Sequence, residues 1–486
     1  MKPSSNFPAV AVLVALIRVV VVVLLLALAG CAVGPNYKRP AVDAPPNFRS
    51  APGITTNSMA DLPWWQMFRD DTLQGLIRTA LTNNYDLRIA IARVEEARAI
   101  AAQNRALFFP GLSYQGGVSR GKNAILGNAF FNGGNTINNV NLLGTVSWEI
   151  DFWGRLRRLN EAARAEYLAT QEARRNVMIT LISNVARDYF QLLALDQQLE
   201  ISKRTTNSFG ESLRIFSARF QSGTVSRLET AAAEASLASA AATVPDLERQ
   251  IVQLENAIHV LLGLNPGPVL RHHNLLQELL PPGIPTGLPS ELLERRPDIR
   301  EAEQFLRATN ALVGVAVADF FPRISLTGLF GQVSPQLSAF TAGAANAWSA
   351  GANLVGPVFQ GGSLVAAYRQ TLAEREAARV QYQATVLTAF EEVSDALIAR
   401  EKFAEARIQQ ARAVEAYRVA VQVSTERYIV GQSSYYEVLQ EQQLLFPAEN
   451  ALTQAELNQL LTLVQLYLAL GGGWETELSA TPAAKK

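Results

Sequence analysis

One order of landmarks occurs twice in this chain, and that repetition constrains the fold more than any local pattern does. Phe108-Phe109-Pro110 recurs 212 residues later as Phe320-Phe321-Pro322. Phe152-Trp153-Gly154 is echoed after 207 residues by Phe359-Gln360-Gly361, and Arg219-Phe220-x-x-Gly223 after 208 by Arg427-Tyr428-x-x-Gly431. Three landmarks in one order at nearly constant offset predict two structurally equivalent halves. In each, a helix runs into Phe-Phe-Pro and stops, because the residue before a proline is pushed out of the α region. Two strand-like segments follow, then a very long helix, a turn at the Arg-aromatic-x-x-Gly motif, and a second long helix that returns.

The strand-like segments alternate with period two. Val140, Leu142, Gly144, Val146, Trp148, Ile150 and Phe152 interleave with Asn141, Thr145, Ser147, Glu149 and Asp151. Segments near 112–120 and 323–332 behave likewise, and 347–358 less cleanly. Each is about ten residues long, the length of a transmembrane β-strand. Gly/Asn-rich stretches at 121–139 and 333–346 are the expected outer loops. A soluble sheet packed on one side would show the same alternation, and four amphipathic strands do not separate the two. A four-stranded sheet cannot close, and an open edge in lipid leaves backbone groups unsatisfied. In the membrane reading the barrel must therefore come from several copies, with two giving a filled lumen and three giving room for a pore. Lipid-facing charge costs about 2–4 kcal/mol for Arg or Lys, and less for acids. Glu149 and Asp151 are thus expected to face the lumen or lie below the bilayer. Trp148, Phe152 and Trp348 suit an interfacial girdle.

The expected long helices, 156–222 and 362–430, contain no proline, and the second would span roughly 100 Å. Ile179, Ile182, Ala186, Tyr189 and Leu193 form a 3-4 seam, as do Val386, Phe390, Val393 and Leu397. This spacing fits a solvated two-hairpin coiled coil as well as a helical barrel lining a conduit. The need for several copies favours the conduit. Gly223 and Gly431 stand where a helix C-terminus expects glycine.

Residues 9–29 are apolar apart from Arg18, long enough to cross a bilayer. Leu28-Ala29-Gly30-Cys31 redirects the reading. It resembles the bacterial lipoprotein cleavage box, with the cut between Gly30 and Cys31, Cys31 lipidated, and Ala32 compatible with outer-membrane sorting. Cys31 is the only cysteine of the 486 residues, so no intramolecular disulfide is possible. The proline-rich stretch that follows is expected to run extended and pack on the body. Charged residues make up 18%, below the usual quarter. Removing residues 1–30 takes away Lys2 and Arg18 and no acid, leaving 41 basic against 43 acidic residues. That balance gives no footprint for nucleic acid.

The chain resembles the TolC-like outer-membrane factors of tripartite efflux pumps, in their lipoprotein (NodT) subgroup. The resemblance rests on Cys31-Ala-Val-Gly-Pro-Asn-Tyr37, Trp64-Trp65-x-x-Phe68, Asn84-x-Asp86-Leu87, the stretch at 288–299 with its Arg295-Arg296-Pro297-Asp298-Ile299 block, Phe320-Phe-Pro-Arg-Ile-Ser325 and both Arg-aromatic-x-x-Gly turns. It covers nearly the whole mature chain. It implies a mainly α fold with a membrane β-barrel: a homotrimer whose twelve strands come four per subunit, above a periplasmic α-barrel with an equatorial collar. It also implies a periplasmic adaptor and an inner-membrane proton-driven pump as partners, and outer membrane lipids as surroundings. Arg219, Phe220, Gly223, Arg427, Tyr428 and Gly431 would form the adaptor-facing tips. Ser424 and Glu426 are candidates for the periplasmic gate.

The expected organisation is a signal peptide at 1–30, a lipid-anchored leader at 31–60, a first repeat at 61–270 turning at 223–225, a linker at 271–289, a second repeat at 290–471 turning at 431–433, and a tail at 472–486. No phosphate-binding loop, nucleophile elbow or metal cluster appears, so neither enzyme activity nor a cofactor is expected beyond the lipid on Cys31. His272 and His273 are expected at the surface. Only Met59, Met67 and Met178 remain after signal removal, too few for a soft-metal ladder. The expected function is a passive exit duct for small toxic compounds such as antibiotics, dyes or solvents. The alternatives are the duct of a type I protein secretion system, a periplasmic adaptor, or a non-conducting coiled-coil scaffold.

Overall fold

A computed structural model describes residues 32–49, 58–122, 136–275, 287 and 289–472. The signal peptide, the Gly30–Cys31 junction, part of the leader, most of the linker and nearly all of the tail lie outside these residues. The elements in chain order are α1 (Trp64–Met67), α2 (Asp71–Asn83), α3 (Tyr85–Ala106), β1 (Gly111–Lys122), β2 (Thr136–Ile150), α4 (Arg155–Gln221), α5 (Arg227–Leu261), α6 (Pro289–Arg295), α7 (Pro297–Ala318), β3 (Arg323–Ser334), β4 (Asn346–Val355), α8 (Ser363–Ile429) and α9 (Tyr435–Ala469).

The duplication extends to element lengths. α3 and α7 have 22 residues each, β1 and β3 have 12, α4 and α8 have 67, and α5 and α9 have 35. Equivalent positions lie 212 residues apart from α3 through β1, and 208 apart from α4 through α5. Each 67-residue helix is about 100 Å long. Each return helix carries one internal proline, Pro245 or Pro447.

The described residues divide into two compact units. The first takes its described residues from Met1–Ala41, Val94–Thr170 and Ala302–Tyr382. Its sheet is antiparallel throughout, in the order β1-β2-β3-β4. Two strands end earlier than the alternation predicts. β2 stops at Ile150 rather than 152, because the Asp151 carboxylate accepts from the Leu156 and Arg157 amides and starts α4. β4 stops at Val355 rather than 358; Pro357 has no N–H to give a ladder. In the other direction, β2 begins at Thr136, ahead of the expected 140.

The second unit, from Val42–Arg93, Gln171–Glu301 and Gln383–Lys486, holds the helical core. Every residue of the two predicted seams is buried, from Ile179 to Leu193 on α4 and from Val386 to Leu397 on α8. Tyr189 sits fully inside this apolar seam, and its hydroxyl donates to Asp70 at 2.5 Å. Asp70 also caps α2 through the amides of Thr72 and Leu73. A second cluster surrounds the hairpin turns: Phe209 and Phe216 of α4, Ala233 and Ala240 of α5, and Tyr435, Val438 and Leu439 of α9. Among the described residues no helix is long and apolar enough to cross a membrane.

Candidate functional site: sheet wall, hairpin turns and leader clamp

The register of the sheet puts all even positions on one face. One row across it reads Tyr114, Gly144, Phe330, Trp348; the next toward the helices reads Leu112, Val146, Gly328, Ala350; another reads Trp148, Leu326, Ala352. The odd face carries Ser113, Thr145, Ser147, Thr327, Ser349 and Asn353, interrupted by Leu143, Leu329 and Val333. On the odd face Ser113 and Thr145 hydroxyls meet at 2.6 Å, and Asn353 donates to Thr327. The even face is apolar yet uncovered among the described residues: Tyr114 is 87%, Val118 80% and Trp348 81% exposed. A solvated sheet hides its apolar face and shows its polar one. Here the apolar face is offered outward, which is the chemistry of a wall against hydrocarbon.

Of the three predicted girdle aromatics, Trp348 stands in β4 and Trp148 in β2, where its ring N–H donates to the Phe108 carbonyl. Phe152 lies beyond the strand, edge-on to Trp153 at 4.8 Å. Glu149 and Asp151 sit at the turn from β2 into α4. Glu149 holds Arg155 through two bonds of 2.9 and 2.7 Å, and Asp151 holds Arg157 at 3.1 Å. Both carboxylates therefore brace the first turn of α4.

The two hairpin turns are built alike. The amides of Gly223 and Thr224 donate to Phe220 and Arg219 carbonyls, and those of Gly431 and Gln432 to Tyr428 and Arg427 carbonyls. This Schellman pattern needs a left-handed residue at its centre, and Gly223 and Gly431 have φ of 73° and 74°. The glycines are thus explained by backbone alone. The flanking side chains are not equivalent. The Arg219 guanidinium lies 4.7 Å over the Tyr428 ring, which meets Tyr435 at 4.8 Å. Arg427 instead pairs with Glu437 at 3.5 Å, and Phe220 is exposed. Of the two gate candidates, Glu426 is exposed and accepts from Gln422, whereas Ser424 is buried with its hydroxyl on the Val421 carbonyl of its own helix. A hydroxyl so placed cannot line an opening in this conformation.

The leader is held more tightly than its proline content predicts. The Val33 amide donates to the Trp153 carbonyl, and Asn310 donates to the Pro35 carbonyl at 3.0 Å. Arg158, buried, reaches the carbonyls of Val33 and Gly34 and the side chain of Asn36. Gly34, at φ 91°, lies against Gly314, where a Cβ would collide with backbone. Farther along, Glu303 accepts from Tyr37, Arg39 and Arg307. Burial pushes the Glu303 carboxyl up, but the two guanidiniums outweigh it and hold it below the usual carboxylate range. Burial and the Glu303 charge push the Tyr37 hydroxyl up to about 12. Sequence reasoning passed over Arg158, Glu303 and Asn310. The available signal was Gly314, a lone glycine inside a helical pattern, which points to close packing.

The Arg295–Ile299 block spans the junction from α6 into α7, with Arg295 ending one helix and Pro297 opening the next. Arg296 donates to Asp298, to Glu392 at 2.6 Å and to the Ala469 carbonyl at 2.9 Å. His272 and His273 reach Thr72 at 3.0 Å and Asp70 at 3.5 Å. Among the described residues no group of histidine, cysteine and carboxylates could hold a metal ion. Met59, Met67 and Met178 are all buried.

Comparison with known proteins agrees with this architecture. The profile of the family described as "Outer membrane efflux protein" matches residues 76–264 and 288–472, the two repeats. The chain is 34% identical over 453 residues to the toluene efflux pump outer membrane protein TtgC of Pseudomonas putida, covering 92% of this chain and 93% of that one. It is 33% identical to the cation efflux system protein CusC of Escherichia coli, covering 93% and 97%. Among solved structures, the open state of the Neisseria gonorrhoeae MtrE outer membrane channel matches at a TM-score of 0.83 with 30% identity, covering 92% and 99%.

Proposed function

Because the chain belongs to the outer membrane efflux protein family and is an outer-membrane efflux channel subunit, we propose that three copies close one twelve-stranded barrel. The observation that carries this is the sheet: four strands with an apolar outward face and, among the described residues, unpaired edges on β1 and β4. Such edges are excluded from lipid unless another strand pairs with them. Three copies supply twelve strands, enough for a lumen wider than its side chains. The polar odd face would then line the water.

Transport through such a duct is passive. The energy comes from a proton-driven inner-membrane pump reached through a periplasmic adaptor, which would dock at the turns bearing Arg219, Phe220, Arg427 and Tyr428. Glu426 is the gate residue of this reading. Cys31 carries the lipid, and no cofactor or catalytic group takes part. The cargo is small toxic organic compounds. TtgC is named for toluene and CusC for cations, and the burial of all three methionines beyond the signal peptide in this chain supports the organic class over soft metal ions.

The test is purified full-length protein reconstituted in a planar bilayer, with its mass measured intact. A trimer mass, acyl mass on Cys31 and discrete conductance steps are expected. A monomeric, non-conducting protein overturns the reading.

A further inference from the structure

The two repeats treat one corresponding point with different chemistry. In the second, the Arg296 guanidinium is buried and held by four hydrogen bonds: Nη1 reaches Glu392 and the Ala469 carbonyl, while Nε and Nη2 reach Asp298 at 3.0 and 2.6 Å. The equivalent of Arg296, 212 residues earlier, is Asn84, and that of Asp298 is Asp86. The equivalents of Glu392 and Ala469, 208 residues earlier, are Asn184 and Leu261. Asn84 donates to the Leu261 carbonyl at 2.9 Å, repeating the bond from Arg296 to Ala469.

Asparagine is shorter than arginine: its amide N–H stops at that bond, and its oxygen accepts from the Leu87 amide at 2.9 Å. Beyond it lies a cleft of about 280 Å³ lined by Asp86, Asn176, Thr180 and Asn184, with Val177 and Leu181 as its apolar lining. Among the described residues, the side chains of Asp86, Asn176 and Asn184 have no hydrogen-bond or ion-pair partner. Besides the engaged Asn84, the cleft thus presents one carboxylate, two amides and a hydroxyl around a short aliphatic surface. The same framework in the other repeat encloses a guanidinium.

We propose that this cleft of the first repeat binds a guanidinium group. A planar cation with several N–H donors matches a carboxylate and neighbouring carbonyl-type oxygens. The single carboxylate neutralises one charge, and the aliphatic residues accept the flat face. The group can come from a free small solute or from the arginine of a second copy of this chain. For a free solute the inference stands apart from the proposed trimer; for a neighbour's arginine it rests on that assembly, and in neither case does it depend on the transported compounds.

The test is calorimetric titration of the intact purified protein with methylguanidinium, beside a side-chain-resolution structure of the assembled protein. Urea, the uncharged molecule of the same shape, is the control. Saturable binding of one methylguanidinium per chain is expected, with none for urea. Asp86→Asn, at an exposed position, and Asn184→Ala, at a half-buried one, should each weaken it at least tenfold, and Glu392→Gln in the other repeat should leave it unchanged. Asn84→Arg should close the cleft to the probe. If free probe does not bind but a neighbour's arginine fills the cleft, the group is supplied by a second copy. If neither occurs, or if Asp86→Asn binds as well as the parent, the proposal is overturned.

Discussion

Leu142 and Leu143 are adjacent, chemically identical and at the middle of β2, yet they face opposite ways. Leu142 lies on the apolar face between Gly116 and Gln332; Leu143 lies on the polar face between Gln115 and Gly331. Replacing each in turn by arginine therefore changes only the side of the wall that receives the charge. At mid-bilayer an outward arginine costs about 2–4 kcal/mol, roughly a 30- to 700-fold loss in the assembled fraction per chain at tenfold per 1.4 kcal/mol. A trimer multiplies the penalty by its three copies. Leu143→Arg should cost much less, because its guanidinium stays in water. The assay is the fraction of SDS-resistant oligomer in isolated outer membranes, with dye efflux measured in the same cells. Leu142→Arg should abolish both signals. Leu143→Arg should keep the oligomer and alter only which dyes pass. Equal loss from the two variants, or a loss confined to Leu143→Arg, refutes the assignment of faces.

Arg158→Ala removes the bonds that hold Val33, Gly34 and Asn36; a loss of about 1.5–3 kcal/mol is expected for charge-assisted bonds, read as a lower melting temperature and as faster protease cleavage between residues 32 and 41. Gly431→Ala puts a Cβ at φ 74° and should cost about 1–2 kcal/mol, whereas Gly431→Asn should cost visibly less; equal melting temperatures for the two would contradict a backbone role. The Glu303 carboxyl is held low in the folded protein, so it contributes stability that is complete above the unfolded value of about 4.3 and is lost as pH falls through the lower folded value. Denaturation from pH 7 down to pH 3 should accordingly show a steeper acid loss for the parent than for Glu303→Gln.

The repeated plan, the four strands and the two turns were legible because each follows from a rule acting along the chain. Period two marked which strand residues share a face, a 3-4 spacing marked the seams from Ile179 to Leu193 and from Val386 to Leu397, and glycine past a helix end marked both turns. The limits of β2 and β4 were less legible, since Asp151 ends one strand by capping the next helix and Pro357 ends the other by lacking a donor. Spacing on a helix does not say which side chains turn inward, and only the structure shows Ser424 buried and Glu426 exposed. Likewise nothing local marks Arg158 and Glu303 as the clamp on the leader, because their partners lie more than 120 residues away.

By itself, then, the sequence determined the duplication, the element types and which strand positions share a face, all properties of short periods and fixed offsets. Only the tertiary structure decided how the duplicated halves differ. Asn84 and Arg296 occupy one place in two copies of a framework, and the same carbonyl of a returning helix meets an amide in one and a guanidinium in the other. Whether that difference leaves a filled space or a cleft depends on what several distant helices bring to one point, and no pattern along a single helix carries that information.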